Sequence, residues 1–288
     1  MSYQLHLFGA ASPVGEAFKR SIYGSSLGFD LFVYSRYPSE RCSNYFLADL
    51  TNPHDFRPAG SLCAPSVWVS FAPIWLLAPF LNAIAADNVD FLSGIAGVIA
   101  CSSSSAITKR FSNNSFDKGL SIRLNDAENS LLSTCRRLGV PCKILQPSMI
   151  YGQGGNYCDS NLSRILHLLR CFPVLPVPRQ SGLRQPIHVT QLAAVSLHLV
   201  QQLVGSGLDS FCPERIALGG DSTLTYTEMI KGLQQSQAPG DRSRRCRLMP
   251  ISNRLFFLFS APLLLRSPKA FEAVFRMGAD LSGFTPAH

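Results

Sequence analysis

Apolar and polar positions alternate with two different periods along this chain. Short apolar runs rich in β-branched and aromatic residues fall at 3–8 (YQLHLF), 30–34 (DLFVY), 45–48 (YFLA), 67–71 (VWVSF), 97–101 (GVIAC) and 142–146 (CKILQ). Each is strand-length and bounded by turn-forming residues, the signature of a strand buried on both faces. Between them the spacing changes to that of a helix, over 14–24, 75–86 and 123–138. The last carries Leu124, Ala127, Leu131, Leu132 and Cys135 on one face. Strands alternating with helices predict an α/β fold of Rossmann type, a doubly wound parallel sheet built from βαβ units over residues 1–150. After residue 150 the pattern loosens. Proline-rich turns are expected at 173–178 and 186, then one strong helix at 190–204 and a mixed tail. Residues 151–288 are therefore expected to form a smaller, substrate-binding lobe, with some elements returning to the sheet.

Composition narrows the class. Of the 288 residues 46% are apolar, enough for a sizeable core, and only 15% are charged. The formal charge of +8 favours anionic small molecules or an acidic membrane face. Apart from DRSRRCR at 241–247 the basic residues are scattered, with no basic stripe interleaved with aromatics, so no nucleic-acid partner is expected. Nine cysteines without a CxxC pair or zinc-like spacing predict no metal and a reducing, cytoplasmic setting. Cys101 and Cys171 lie in apolar runs and are expected to pack as small hydrophobes. No basic n-region precedes the first apolar run, so no signal peptide is expected. The chain stops abruptly at GADLSGFTPAH, which reads as a naturally short or a truncated C-terminus. The apolar run 255–265 is eleven residues long and contains a proline, well short of the ~20 needed to span a bilayer. Basic residues flank it within 253–271. That fits a peripheral membrane contact, and the competing reading is a helix packed on the second lobe or at a homodimer interface.

The first strand runs into GAASPVGEAF, where Gly9 follows the strand, Ser12 takes the middle slot and Gly15 opens a helix. Small residues at a strand–helix turn let a pyrophosphate approach the backbone at a helix N-terminus, and the Ser12 hydroxyl is a candidate donor to it. Pro13 and Val14 complete the turn. The second strand ends without an Asp or Glu to accept the ribose hydroxyls of NAD. It offers Ser35 and Arg36, which suit a 2′-phosphate, so NADP is expected over NAD. Asp49 and Leu50 follow the third strand at the adenine end, and Phe71, Ala72 and Pro73 follow the fourth.

With those residues in place, the chain resembles the extended or atypical short-chain dehydrogenase/reductase superfamily, in its NAD(P)-dependent epimerase/dehydratase branch acting on nucleotide sugars. The likeness covers roughly residues 3–235. It rests on VSFAPIWLLAPFL, IACSSSS, ILQPSMIYGQG at 144–154, GLRQPIHVTQLA at 182–193 and LGGDSTLTYTEMI at 218–230. The resemblance implies a serine that polarises the substrate at Ser104, with Ser103 beside it, and substrate contacts from Tyr151 and from Arg184 at a nucleotide diphosphate. It also implies a Tyr and, four residues later, a Lys that lowers the Tyr pKa. Counted back from Glu128, those slots hold Leu120 and Leu124, and neither moves a proton. Arg123, Lys109 and Lys118 lie nearby, but an Arg is no base at ordinary pH. Gln146 stands where the family has Arg, Thr190 and Gln191 where it has acids, and His188 reads as a packed histidine. Some members of the branch lack the pair and carry an R-L-x-x-A-E helix, which Arg123, Leu124, Ala127 and Glu128 resemble. Two functions remain open. One is an NADP(H)-dependent epimerase, reductase or dehydratase of a nucleotide-linked sugar. The other is a non-catalytic NADP(H)-binding scaffold or redox sensor.

Overall fold

The computed structural model describes residues 3–25, 28–37, 43–62, 64–152, 160–205, 214–262, 274 and 276–287. Its centre is a seven-stranded parallel sheet. The elements of this layer are β1 (Tyr3–Phe8), α1 (Pro13–Tyr23), β2 (Phe29–Ser35), β3 (Tyr45–Leu47), β4 (Ser66–Ser70), α2 (Ile74–Asp87), β5 (Ile95–Cys101), α3 (Ser105–Thr108), α4 (Ser115–Arg137) and β6 (Cys142–Pro147). The chain then builds β7 (Ile150–Tyr151), α5 (Ser160–Cys171), β8 (Val174–Pro178), β9 (Leu183–Arg184) and β10 (Ile187–His188). It returns to the sheet through α6 (Val189–Gly205) and β11 (Arg215–Leu218). It ends with β12 (Leu224–Thr225), α7 (Tyr226–Gln235), β13 (Arg247–Ile251) and α8 (Asn253–Ser260). Across the sheet the order is β11-β6-β5-β4-β1-β2-β3. The winding direction reverses between β1 and β4, which opens a crevice at their carboxyl ends.

The period-two pattern of the strands divides the core. Leu5, Leu7, Val33, Val67, Val69, Ile99 and Leu145 point to the face covered by α1 and α6. Their neighbours Phe8, Tyr34, Trp68, Val98 and Ile144 point to the face covered by α2 and α4. Phe8 stacks on Tyr34 at 4.7 Å between ring centres, and Phe56, Trp68 and Phe80 close around the pair. A smaller apolar cluster gathers Leu169 of α5, Val177 of β8, Tyr226, Met229 and Ile230 of α7, and Cys246. There Arg170 grips Asp241 with two nitrogens, tying the end of α5 to the turn at 241–245.

Three expectations are corrected. The segment 173–178 is not only turns: Val174–Pro178 pairs in parallel with Arg247–Ile251. That pairing makes a two-stranded ribbon, in which each strand is an edge and prolines are tolerated. The helix expected at 123–138 begins at Ser115, because Asn114 caps it by accepting from the Asp117 N–H at 2.8 Å. Cys171 is exposed at the end of α5, its Sγ 3.5 Å from His167 Nε2. Cys101 sits half-buried at the end of β5, and burial pushes its thiol up to about 12. No helix among the described residues is long and apolar enough to cross a membrane. Of the run at 253–271, α8 shows Leu258 and Phe259 to solvent, and 263–271 lie outside the described residues.

One core side chain makes stability pH-dependent. His6 is buried among Phe32, Tyr34 and Trp68, and burial pulls its pKa down to about 4. The Tyr34 hydroxyl accepts from the Ala59 N–H, leaving its own proton for His6 Nδ1 at 2.8 Å. Between the unfolded value near 6.5 and the folded value, the unfolded chain binds a proton that the folded chain does not. Stability therefore falls as pH drops through that window, by up to about 1.4 kcal/mol per pH unit from this residue. Urea unfolding at pH 7, 6, 5 and 4 should show that slope, and His6→Gln should flatten it.

Candidate functional site

Two adjoining cavities lie at the sheet reversal and make up the two halves of a cleft. Both are bordered by Ser12, Phe71, Ala72 and Pro73. The turn after β1 is pressed so closely on the turn after β4 that residue 9 can only be glycine. Gly9 has φ +73°, and a Cβ there would lie 2.4 Å from the Ala72 nitrogen. A Cβ on Gly15 would lie 2.5 Å from the Gly9 carbonyl oxygen, so the helix start is held against the turn in the same way. This is a cradle shaped for backbone to approach a ligand.

Ser12 plays a different part from a phosphate donor. Its hydroxyl donates to the Gly9 carbonyl at 2.8 Å and accepts from the Gly15 N–H at 3.1 Å, which makes it the N-cap of α1. Pro13 brings no N–H to the first helical position. Among the described residues, the Val14 N–H is then the one in the first three helical positions without such a partner.

The larger half, about 460 Å³, runs from the turn to the ends of β2 and β3 and includes Ser35, Arg36, Asp49 and Leu50 in its wall. The Ser35 hydroxyl is tied to the Tyr37 backbone. The Arg36 guanidinium lies 6.0 Å from the centre of the Tyr37 ring and makes no hydrogen bond or ion pair among the described residues. Asp49 folds on its own turn, accepting from the Thr51 N–H at 2.9 Å and the Thr51 hydroxyl at 2.8 Å. These bonds, the backbone one foremost, hold its carboxyl below the usual range. Sequence reasoning missed a second cation here. Lys19 of α1, 8% exposed, lines the same half and donates to Glu16 at 2.8 Å and to the Tyr45 hydroxyl at 2.7 Å. Burial alone would lower its pKa, but those partners leave it raised. The signal was available: Glu16 and Lys19 stand one helical turn apart, on the face that follows the glycine.

The other half, about 400 Å³, is lined by Trp75, Ser102, Ser103, Leu124, Ile150 and Gly152, among others. Ser103 and Ser102 reach this chamber. Ser104 stands one residue further, at the start of α3, and does not line it. Ser103 Oγ accepts from the Ser105 N–H at 3.2 Å. Ser102 donates to Glu128 at 2.5 Å. Glu128 is completely enclosed, and it also accepts from Gln146 at 2.8 Å and Arg215 at 2.9 Å. One buried carboxylate thus joins α4 to the carboxyl ends of β5 and β6 and to the first residue of β11, and holds Ser102 at the chamber wall. Leu124, 2% exposed, closes that wall with a hydrocarbon face, and Leu120, one turn earlier on α4, packs half-buried against the core. Arg123 stacks on Trp75 at 4.4 Å from the ring centre.

Arg184 is not aimed into the cleft. It is 5% exposed, and its guanidinium donates to the carbonyls of Leu183, Arg276 and Ala279 while lying 5.2 Å from the Tyr226 ring centre. These contacts clamp the C-terminal segment to β9. Tyr151 faces the second lobe, edge-on to His188 at 5.0 Å. Among the described residues, no three His, Cys, Asp or Glu side chains stand together as a metal site.

No family model matches the chain, and no curated protein matches it in sequence. Its fold is nonetheless well represented among solved structures. UDP-N-acetylglucosamine 4-epimerase from Bacillus cereus superposes with a TM-score of 0.59 at 14% identity, over 86% of this chain and 85% of the other. dTDP-glucose 4,6-dehydratase from Bacillus anthracis, in complex with NAD, gives 0.56 at 14% identity over 87% and 85%. The GDP-mannoheptose C4 reductase of Campylobacter jejuni, with NADP bound, gives 0.57 at 12% identity over 87% and 88%. The chain therefore has the Rossmann-type fold of the nucleotide-sugar epimerases, dehydratases and reductases.

Two outcomes test this geometry. Ser12→Ala should cost about 1 kcal/mol through the lost cap and Ser12→Gly only a few tenths, read from urea unfolding. Glu128→Ala leaves Arg215 and Gln146 facing an empty carboxylate site, and should cost ~3 kcal/mol or more by the same measurement.

Proposed function

We propose that the protein binds NADP(H) in the cleft at the sheet reversal, and that it holds the dinucleotide without the proton-transferring Tyr–Lys pair. The observation that carries this reading is the pair of adjoining cavities that share Ser12, Phe71, Ala72 and Pro73, with Arg36 in the wall of one and Leu124 in the wall of the other. At the β2 end, Arg36 makes no hydrogen bond or salt bridge among the described residues, which suits a 2′-phosphate, and Ser35 and Arg36 rather than an Asp or Glu stand at the strand end. Lys19 neutralises Glu16, so the first-turn acid of α1 does not repel a phosphate at the turn. In the middle, the Gly9–Gly15 cradle lets backbone approach the pyrophosphate. At the far end, Trp75, Ile150 and Leu124 form an apolar slot for a nicotinamide ring, with Ser102 and Ser103 at its edge. Such a ring supplies hydride transfer when bound. The chain's own residues supply shelter from water, but no acid or base with a suitable pKa at the Tyr and Lys slots.

An oxidoreductase of the epimerase/dehydratase type acting on a nucleotide-linked sugar is the second reading. The two serines at the chamber edge favour it, since a hydroxyl there could polarise a substrate carbonyl. In that reading the proton comes from elsewhere.

Direct titration of NADPH and NADH into the purified chain decides the cofactor. Arg36→Ala should weaken NADPH by about 10- to 150-fold, equivalent to ~1.5–3 kcal/mol, and leave NADH nearly unchanged. If neither dinucleotide binds, the cradle is a packing turn and the proposal fails. Steady turnover of UDP- or GDP-linked sugars by the NADPH-loaded protein would favour the second reading.

A further inference from the structure

Strand β13 leads into α8 with Ser252 alone between them, and Ser252 caps the helix by accepting from the Leu255 N–H. Positions 254, 255, 258 and 259 stand three or four residues apart and share one face of α8. That face is Arg254, Leu255, Leu258 and Phe259, with Leu258 65% and Phe259 73% exposed. Phe256 on the other side is the helix's buried anchor, so packing does not require the outward three to be apolar. The β8–β13 ribbon continues the pattern. Its register sets Val174 beside Arg247 and Pro176 beside Met249. All four are exposed, while Leu175 and Leu248 turn inward to the Tyr226 cluster. Single exposed apolar residues are ordinary in proteins, but an apolar helix face beside cations is a contact surface.

Charge decides what covers it. Residues 242–259 hold five arginines and no acid. Arg179, Arg242, Arg245, Arg247 and Arg254 are exposed and make no hydrogen bond or ion pair among the described residues. Asp241, the acid just before them, is bonded to Arg170 and Ser243. A second copy of this chain would bring the same arginines against these in a two-fold contact, and like charges would repel. A nucleic acid would pair with the arginines and leave Leu258 and Phe259 in water. An anionic bilayer satisfies both, because its phosphates meet the guanidinium groups and its acyl boundary takes the apolar face.

We propose that the outward face of α8, together with the arginines of residues 242–254, docks the protein on an anionic lipid surface, lying on it without crossing it. This assignment does not rest on the dinucleotide reading, because none of these residues lines either half of the cleft.

The test is co-sedimentation of the full chain with vesicles of phosphatidylcholine, alone or mixed with phosphatidylglycerol. The expected result is pelleting with the anionic mixture only, lost when salt is raised from about 0.05 M to about 0.5 M. Leu258→Ser combined with Phe259→Ser should reduce the pelleted fraction about fivefold or more, and so should Arg245→Gln combined with Arg247→Gln. All four side chains are exposed, so both variants should melt with the parent chain. NADPH titration of the same samples should be unchanged, so failure here is separable from failure of cofactor binding. Three outcomes would overturn the proposal. One is no pelleting with the anionic mixture at low salt. Another is pelleting that heparin competes away and the Leu258/Phe259 pair leaves unaltered, which marks a polyanion site. The third is a dimer, seen by analytical ultracentrifugation, that the same pair dissociates while vesicle binding is absent.

Discussion

A single close approach organises the molecule: the backbone after β1 touches the backbone after β4, with no room for a side chain at residue 9. A Cβ on Gly9 would sit 2.4 Å from the Ala72 nitrogen and 2.6 Å from the Phe71 carbonyl carbon. The strand order reverses at this place, so the same contact joins the two wings of the sheet and floors the cleft. Gly15 repeats the device one layer out, seating the start of α1 on the Gly9 carbonyl. The capping bonds of Ser12 to Gly9 and Gly15 then lock strand, turn and helix together. Cleft shape follows from this locked turn more than from any residue in the cleft walls.

Around that turn, most of the charges are used inside the protein. Glu128 is satisfied by three side chains, Arg184 by three carbonyls, and Lys19 by Glu16 and Tyr45. Asp117 is similar: burial would raise its pKa, yet the Lys109 ammonium at 2.7 Å and the Asn114 amide hold it below the usual range. Each of these groups is costly to bury and harmless once paired. Arg36 differs: it lines the cleft, lies over the Tyr37 ring and helps hold the Asp49 carboxyl low, yet it makes no hydrogen bond or salt bridge among the described residues.

The sheet was legible because β1, β2, β4, β5 and β6 are apolar on both faces and flanked by turn residues, so local pattern and tertiary burial agree. Where they disagree, sequence reading fell short. The first two turns of α4, FDKGLSI, look polar and hold a glycine, yet Asn114 and the Asp117–Lys109 pair secure them. The β8 strand reads as turns because of its prolines, and only its partner at 247–251 makes it a strand. At the site, residue types were legible and directions were not. Ser12 and Arg184 have the right chemistry for a phosphate, but whether a hydroxyl or guanidinium faces a ligand or a carbonyl depends on neighbours as far as 95 residues away. Lys19 was hidden for the same reason, since Tyr45 reaches it from another strand.

Leu124 joins these observations to function. A lysine there would bring a cation into a wall made of Trp75, Ile150 and Val189, at a position now 2% exposed. The hydrocarbon face does the reverse, lowering the local dielectric and removing any means of depressing a nearby phenol's pKa. With Leu120 in the Tyr slot there is no phenol to depress. A lysine at position 124 would be a buried charge without a partner, and leucine is the cheaper occupant. The same wall presents an apolar surface made of Trp75, Leu124 and Ile150. Such a wall shelters a bound group from water and supplies no proton to it.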